Sequence, residues 1–229
     1  MRLSGLILGT MLFGSGCVTH MDSPDGPPYV GQRGWIVSVE RVKALHPAGA
    51  TFLDARTEAE YKGGHLAGAR HAPWKRFSVA SSPLQGRLLA DDTSLTTLLR
   101  QAGVSTAKPV VVIGDTISGW GEDGRIVWML RTLGHTQAAL LDGGHYALTR
   151  AGLPEDQKLP PAAKGNFTVK RTPTWEIQKA ALQKLVLAGA ASQGVTLVDT
   201  RELREYNGAV PYGELRGGHL PGALHLHYA

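Results

Sequence analysis

Two stretches of this chain read almost alike: Thr51-Phe52-Leu53-Asp54-Ala55-Arg56 and Thr196-Leu197-Val198-Asp199-Thr200-Arg201. The first runs on through Glu60-Tyr61-Lys62-Gly63 to Gly63-Gly64-His65-Leu66-Ala67-Gly68-Ala69. The second runs on through Glu205-Tyr206-Asn207-Gly208 to Gly217-Gly218-His219-Leu220-Pro221-Gly222-Ala223, with an insertion around Tyr212. Strings this specific, recurring in the same order, mark an internal duplication. Each copy opens on a short apolar strand ending in an acid and leads into a brief helix. In the first copy Thr57 is the expected cap, with Glu60 three residues on at capping-box spacing.

Working outward from the first copy, Ser38 is a plausible N-cap for a helix reaching Leu45. Thr93 to Gly103 reads as an amphipathic helix closed by its glycine. Pro109-Val110-Val111-Val112-Ile113-Gly114 is apolar on both faces, as expected of a strand buried in a parallel sheet. A helix from Arg125 to Leu133, a strand at Ala138–Asp142 and a helix from Gly144 to Arg150 complete the first copy. Alternating strands and helices predict an α/β sheet with crossover connections. Leu159-Pro160-Pro161-Ala162-Ala163-Lys164-Gly165-Asn166 has linker composition, and the expected organisation is a folded region over 35–155, a linker over 156–169 and a second unit over 170–229.

The formal charge of +5 comes from scattered basic residues, so no nucleic-acid partner is expected. With 42% hydrophobic and 19% charged residues the chain can build a core. The first 17 residues differ. Arg2 precedes the apolar run Leu6-Ile7-Leu8-Gly9-Thr10-Met11-Leu12-Phe13, then Gly14-Ser15-Gly16 and Cys17, the single cysteine of the chain. The run is shorter than the roughly 20 residues a membrane span needs, but fits a signal h-region of about 7–15. Residues 18–34 are turn-rich, as a tether would be. Gly14-Ser15-Gly16-Cys17 resembles the lipobox of bacterial lipoproteins, with Gly14 where a leucine is usual. That resemblance implies lipid attachment at Cys17, a membrane anchor and a place on the periplasmic side of a bacterial envelope. A plain secretory signal, giving a soluble periplasmic or secreted protein, is the alternative reading.

The motif order Leu-Asp-x-Arg, Glu-Tyr, Gly-Gly-His-Leu-x-Gly-Ala, with Asp142-Gly143-Gly144 after a strand, resembles the tandem rhodanese family of thiosulfate and 3-mercaptopyruvate sulfurtransferases. The resemblance covers about residues 35–155 and 170–229. It implies a rhodanese-like α/β fold: a parallel five-stranded sheet flanked by helices, one full domain plus the truncated front half of a second. In two-domain members the C-terminal domain carries the active cysteine, and the N-terminal domain is usually inert. Active members place a cysteine-led loop after the buried strand, where backbone N–H groups and a helix N-terminus lower the thiol pKa and hold the anionic donor.

Here the matching position is Asp115. A carboxylate accepts no sulfane sulfur, and its charge repels thiosulfate. The first domain is therefore expected to be silent, and no residue of the chain is assigned as catalytic. Asp115 as a nucleophile for acyl or phosphoryl transfer lacks an accompanying general acid or metal. Arg125, at a helix start, either binds a small sulfur-containing anion or pairs with Asp115 or Glu122. Asp54 with Arg56, and Asp199 with Arg201, read as strand-end ion pairs that fix the following helix. His65 and His219, at one repeated position, read as turn residues bonded to nearby backbone. His225 and His227 do not make a zinc site without further ligands. No metal and no cofactor is expected. Trp120 and Trp128 read most simply as core or interface residues. The second copy lacks the strand and loop that follow in the first, so it must find cover, bind a partner protein or stay partly unfolded. The competing functional reading is a lipid-anchored, non-catalytic binding module.

Overall fold

The computed structural model describes residues 34–81, 85–162 and 164–227. Residues 1–17, with Cys17, and the tether up to residue 33 lie outside the described residues. The chain divides into two compact units. The first holds residues up to Arg131 and His135–Val169; the second holds Thr132–Gly134 and the residues from Lys170 onward.

In the first unit the elements run β1 (Ile36–Val37), α1 (Val39–Leu45), β2 (Thr51–Asp54), α2 (Glu58–Gly63), β3 (His65–Leu66) and β4 (Arg70–His71). They continue as α3 (Asp92–Gln101), β5 (Val110–Ile113), α4 (Glu122–Thr132), β6 (Ala138–Leu141), α5 (Gly144–Arg150) and β7 (Glu155–Asp156). Strands β1, β6, β5, β2 and β4 form one sheet in that order, every pairing parallel. Parallel neighbours need long crossovers, which the helices supply. β3 and β7 form a separate antiparallel pair.

Alternation along the strands decides what each face buries. Phe52, Val111, Ile113, Ala139 and Leu141 share a core with Val42 and Leu45 of α1 and Leu148 of α5. The residues between them, Leu53, Val110 and Val112, are fully buried on the other face. Complete burial of one such aliphatic side chain contributes about 1.5–3 kcal/mol. Ser38 caps α1 by accepting the Arg41 N–H. Thr57 and Glu60 form the reciprocal capping box at the start of α2.

Two boundaries differ from the sequence expectation. α4 begins at Glu122 rather than Arg125. Glu122 and Asp123 put negative charge on its first turn, which the helix dipole favours. The region expected as a linker is pinned to the first unit. Asp156 belongs to β7, Gln157 donates to the Gly63 carbonyl at 2.9 Å, Gly165 N–H donates to the Arg100 carbonyl at 2.8 Å, and Phe167 is 3% exposed. Composition marked this stretch as non-helical and non-strand, but its anchors are distant in sequence.

The second unit contains α6 (Lys179–Leu187), β8 (Val198–Asp199), α7 (Leu203–Tyr206) and β9 (Leu224–His225). β8 and β9 form a two-stranded parallel sheet in which Val198 faces Leu224 and Asp199 faces His225. The same register joins β2 to β4, with Leu53 opposite Arg70 and Asp54 opposite His71.

Candidate functional site

The sheet order sends the chain from β2 to β4 on one side, then back to β5 on the other. Such a reversal opens a crevice at the C-terminal ends of the strands. The register of β2 on β5, Asp54 opposite Ile113, brings the segments after the two strands side by side. Between them lies a cleft of about 200 Å³ lined by Ala55, Arg56, Thr57 and Glu60 from the β2 side. Gly114, Asp115, Ser118, Gly119, Trp120 and Glu122 line it from the β5 side. Ligand pockets for drug-sized molecules run from roughly 300 Å³, so this volume suits only a small group.

Asp115 sits at the head of the loop, where the sequence places it, but its carboxylate is engaged. Its Oδ1 accepts the Ile117 N–H at 2.9 Å, and its carbonyl accepts the Gly119 N–H at 3.1 Å. Glu122 Oε2 accepts the Trp120 N–H at 2.8 Å, and Asp123 Oδ1 accepts the Gly124 N–H at 2.8 Å. The amides of this loop and helix start are thus turned onto the chain's own oxygens. Asp123 packs directly over Gly114, where a Cβ would lie 2.4 Å from its carboxyl carbon. Burial, with a smaller contribution from Glu122, raises the Asp123 carboxyl above the ordinary aspartate range against the pull of two backbone hydrogen bonds. An anion approaching this cradle meets carboxylates in the places it would occupy.

Arg56 cannot compensate. Its Nε lies 3.0 Å from Asp54 Oδ1 and its terminal nitrogen 2.7 Å from Oδ2; the same nitrogen donates to the Gly64 carbonyl at 2.7 Å. The pair is almost fully buried, with 6% and 0% of the two side chains exposed. This is a bidentate brace holding the turn into α2, not a free cation. Arg125 lies elsewhere: its guanidinium stands over the Trp74 ring, 5.2 Å from the centroid. Neither sequence alternative, an anion or a partner among Asp115 and Glu122, describes that contact. His65 is wholly buried and stacked on Tyr61 at 3.9 Å; its Nδ1 lies 2.8 Å from the Tyr61 carbonyl, which makes that nitrogen the protonated one.

His145 was not singled out from the sequence, although it follows directly on Asp142-Gly143-Gly144. Its N–H donates to the Gly114 carbonyl at 2.9 Å, and its ring lies 3.4 Å from Glu155. Burial first, and then the Arg56 charge, hold its pKa below the usual histidine value. At the rim Ile117 and Trp120 are each 73% exposed, so Trp120 is not a core residue of this unit. Among the described residues no group of three or more His, Cys, Asp or Glu side chains is placed to hold a metal ion. Among them, too, no helix is long and apolar enough to cross a membrane.

The second unit reproduces the principal bonds of the brace. Arg201 Nε lies 3.0 Å and its terminal nitrogen 2.6 Å from the Asp199 carboxylate, and Arg201 donates to the Gly218 carbonyl at 2.8 Å. His219 Nδ1 lies 2.8 Å from the Tyr206 carbonyl, and Tyr206 donates to the Ala223 carbonyl at 2.9 Å, as Tyr61 does to Ala69 at 2.8 Å. The environments differ: Arg201 is 43% exposed where Arg56 is 6%.

Comparison with known proteins agrees with this geometry. The family described as rhodanese-like domain matches residues 38–151. A thiosulfate sulfurtransferase of Corynebacterium glutamicum is 30% identical over 74% of this chain and 56% of its own length. A 3-mercaptopyruvate sulfurtransferase of Mus musculus is 27% identical over 76% of this chain and 57% of its own. The crystal structure of a 3-mercaptopyruvate sulfotransferase from Escherichia coli superposes with a TM-score of 0.70 at 25% identity, covering 85% of this chain and 75% of that one. The chain thus spans somewhat over half the length of the curated relatives it matches.

Proposed function

The chain belongs to the rhodanese-like family through residues 38–151, and on that premise we propose that it is a sulfurtransferase-family protein whose first domain is the non-catalytic member of a tandem pair. Residues 170–229, which repeat the motif of the first, are read as belonging to the second. Sulfur transfer needs a thiolate to take the sulfane sulfur of thiosulfate as sulfite leaves, or the thiol sulfur of 3-mercaptopyruvate as its C–S bond breaks and pyruvate leaves, and to hold it as a persulfide. Residues 18–229 contain no cysteine, and the Cys17 thiol is consumed by lipid attachment or removed with the signal. The observation that carries the reading is the self-filled cradle: Asp115, Glu122 and Asp123 accept the loop amides that an anionic donor would need.

The direct test is thiosulfate-to-cyanide sulfur transfer by the purified chain, with thiocyanate measured. No turnover above a heat-denatured control is expected. Turnover that survives replacement of Cys17 by serine would overturn the reading.

The place of action proposed with it is the bacterial envelope, periplasm-facing, through a lipid on Cys17. Radiolabelled palmitate incorporated into the chain and lost in Cys17→Ser is the expected result; equal labelling of both would remove the anchor. Exposed Ile117 and Trp120 at the cleft rim favour, as a second reading, a non-catalytic module that docks a partner protein. A small anion as ligand is disfavoured by the carboxylates.

A further inference from the structure

The cleft between β2 and β5 is acidic on both walls, and its charge selects what it can hold. Glu60 lines it from the β2 side, Asp115 and Glu122 from the β5 side, and all three are partly buried. Each spends one oxygen on the chain itself. Glu60 Oε2 accepts the Thr57 N–H and hydroxyl, Asp115 Oδ1 the Ile117 N–H, and Glu122 Oε2 the Trp120 N–H. Among the described residues the second oxygen of each accepts no hydrogen bond. Arg56, which also lines the cleft, is neutralised by Asp54 at 2.7 Å. The cleft therefore carries net negative charge, and at its rim Ile117 and Trp120 are each 73% exposed.

Most occupants fail on these terms. An anion meets the three carboxylates. An apolar side chain strips water from the second oxygens and replaces none of its bonds. A metal ion needs its ligands gathered round one point, and among the described residues no group of three or more His, Cys, Asp or Glu side chains is so placed. A flat, spread cation fits. A guanidinium has five N–H donors in one plane, reaches carboxylates on opposite walls at once, and stacks on an indole face. At about 200 Å³ the cleft takes one such head and not a drug-sized molecule.

We propose that this cleft docks an arginine side chain of a partner protein, with apolar residues next to that arginine covering Ile117 and Trp120. Charge complementarity chooses the arginine. The exposed rim chooses a peptide segment over a free guanidinium compound, since only a segment brings apolar neighbours with it. Trp and Arg are also among the residue types that most often dominate protein interfaces. The inference rests on the reading of the chain as a non-catalytic docking module, and names that module's partner by its chemistry.

The full chain is titrated with the peptide acetyl-Gly-Leu-Arg-Leu-Gly-amide while NMR follows the Ile117 methyl and Trp120 indole N–H signals. Both shift and saturate at millimolar peptide or below, and added salt weakens the binding. With lysine at the centre the peptide binds about three-fold weaker or more, with glutamine about ten-fold weaker or more, and with glutamate not at all. Glu122→Gln and Asp115→Asn keep the oxygens that accept the loop amides but remove the charge, and each weakens the arginine peptide about five-fold or more. Trp120→Ala weakens it about three-fold or more. Unchanged amide signals over Val110–Ile113 report that β5 is intact in each variant. Equal binding of the lysine or glutamine peptide overturns the arginine and leaves the docking reading standing. Methylguanidinium binding as tightly as the peptide gives the cleft to a small cation and overturns the partner segment. Shifts that appear without peptide and grow with chain concentration give it to a second copy and overturn the proposal too. No shift at Ile117 or Trp120 with any peptide at millimolar concentration overturns the proposal and the docking reading together. Sulfur transfer, measured as thiocyanate, is decided separately from all of these outcomes.

Discussion

Arg56 and Arg201 hold their aspartates with the same atoms at nearly the same distances, yet the free energy of each pair depends on the surroundings. Removing Arg56 strands the Asp54 carboxylate at 0% side-chain exposure, and breaking a buried pair in this way costs about 3–5 kcal/mol. Arg201 is 43% exposed, so solvent screening limits that pair to under about 1 kcal/mol. Arg56→Ala should therefore unfold the first unit at much lower urea, and Arg201→Ala should barely move the second, with exchange mass spectrometry following each unit separately. The Arg201 guanidinium lowers the Asp199 carboxyl to about 2. The small contribution of that pair is then present above about pH 4 and lost as pH falls toward 2. Asp123 has the opposite sign. Its raised carboxyl favours the protonated form in the fold, so stability drains away as pH rises above the unfolded value of about 3.9. Asp123→Asn should raise the urea midpoint at pH 7, with the gain vanishing as pH approaches 4. The family resemblance puts Asp115 in line with the cysteine of active members, and the structure puts it in the loop that follows β5. That the loop amides close onto Asp115, Glu122 and Asp123 was not legible, because it depends on turn geometry that no spacing encodes.

At the scale of elements, what was legible was local. The Ser38 cap and the Thr57–Glu60 box lie within four residues of their partners, and the apolar run at β5 declares its burial on both faces. The β3–β7 pair was not legible, since each strand is two residues long and its partner lies some ninety residues away. The turn from β6 into α5 joins the two cases. Gly143-Gly144 announces a tight turn, but only the structure shows why no other residue fits. Gly144 has φ of +53°, and a Cβ there would lie 2.4 Å from the Gly114 carbonyl oxygen, the one that accepts the His145 N–H. Left-handed backbone alone costs an L-residue roughly 1–2 kcal/mol, and the clash is with main chain that is itself the floor of the cleft. Gly144→Ala should destabilise the first unit by more than about 2 kcal/mol, read as an earlier melting transition. Gly152→Ala is the control: it has positive φ but nothing within 4 Å of the added carbon, and should show only the backbone part of that loss.

For the whole molecule the duplication was plain in the sequence, and its consequence is two units that bury the same motif to different depths. Side-chain burial in the first is that of a finished α/β domain. In the second, buried apolar residues are few, with Ala190 and Ala223 among them, while Val198, Leu203, Leu224 and Leu226 stand exposed. About 60 ordered residues at roughly 1–2 kcal/mol of backbone entropy each need more burial than this to be stable. Local opening in the second unit should therefore be frequent, and protease should find it there first. Composition points to Pro160-Pro161 as the weak place, but the bonds from Gln157, Gly165 and Asn166, and the burial of Phe167, tie that stretch down. The sites of early cutting move beyond Val169. Limited proteolysis with thermolysin should leave a resistant fragment ending near residue 169, while residues 170–227 disappear at rates at least about ten-fold faster. A first cut at 159–162 with the second unit surviving intact would show that this unit is stable by itself and that its exposed leucines cost it nothing.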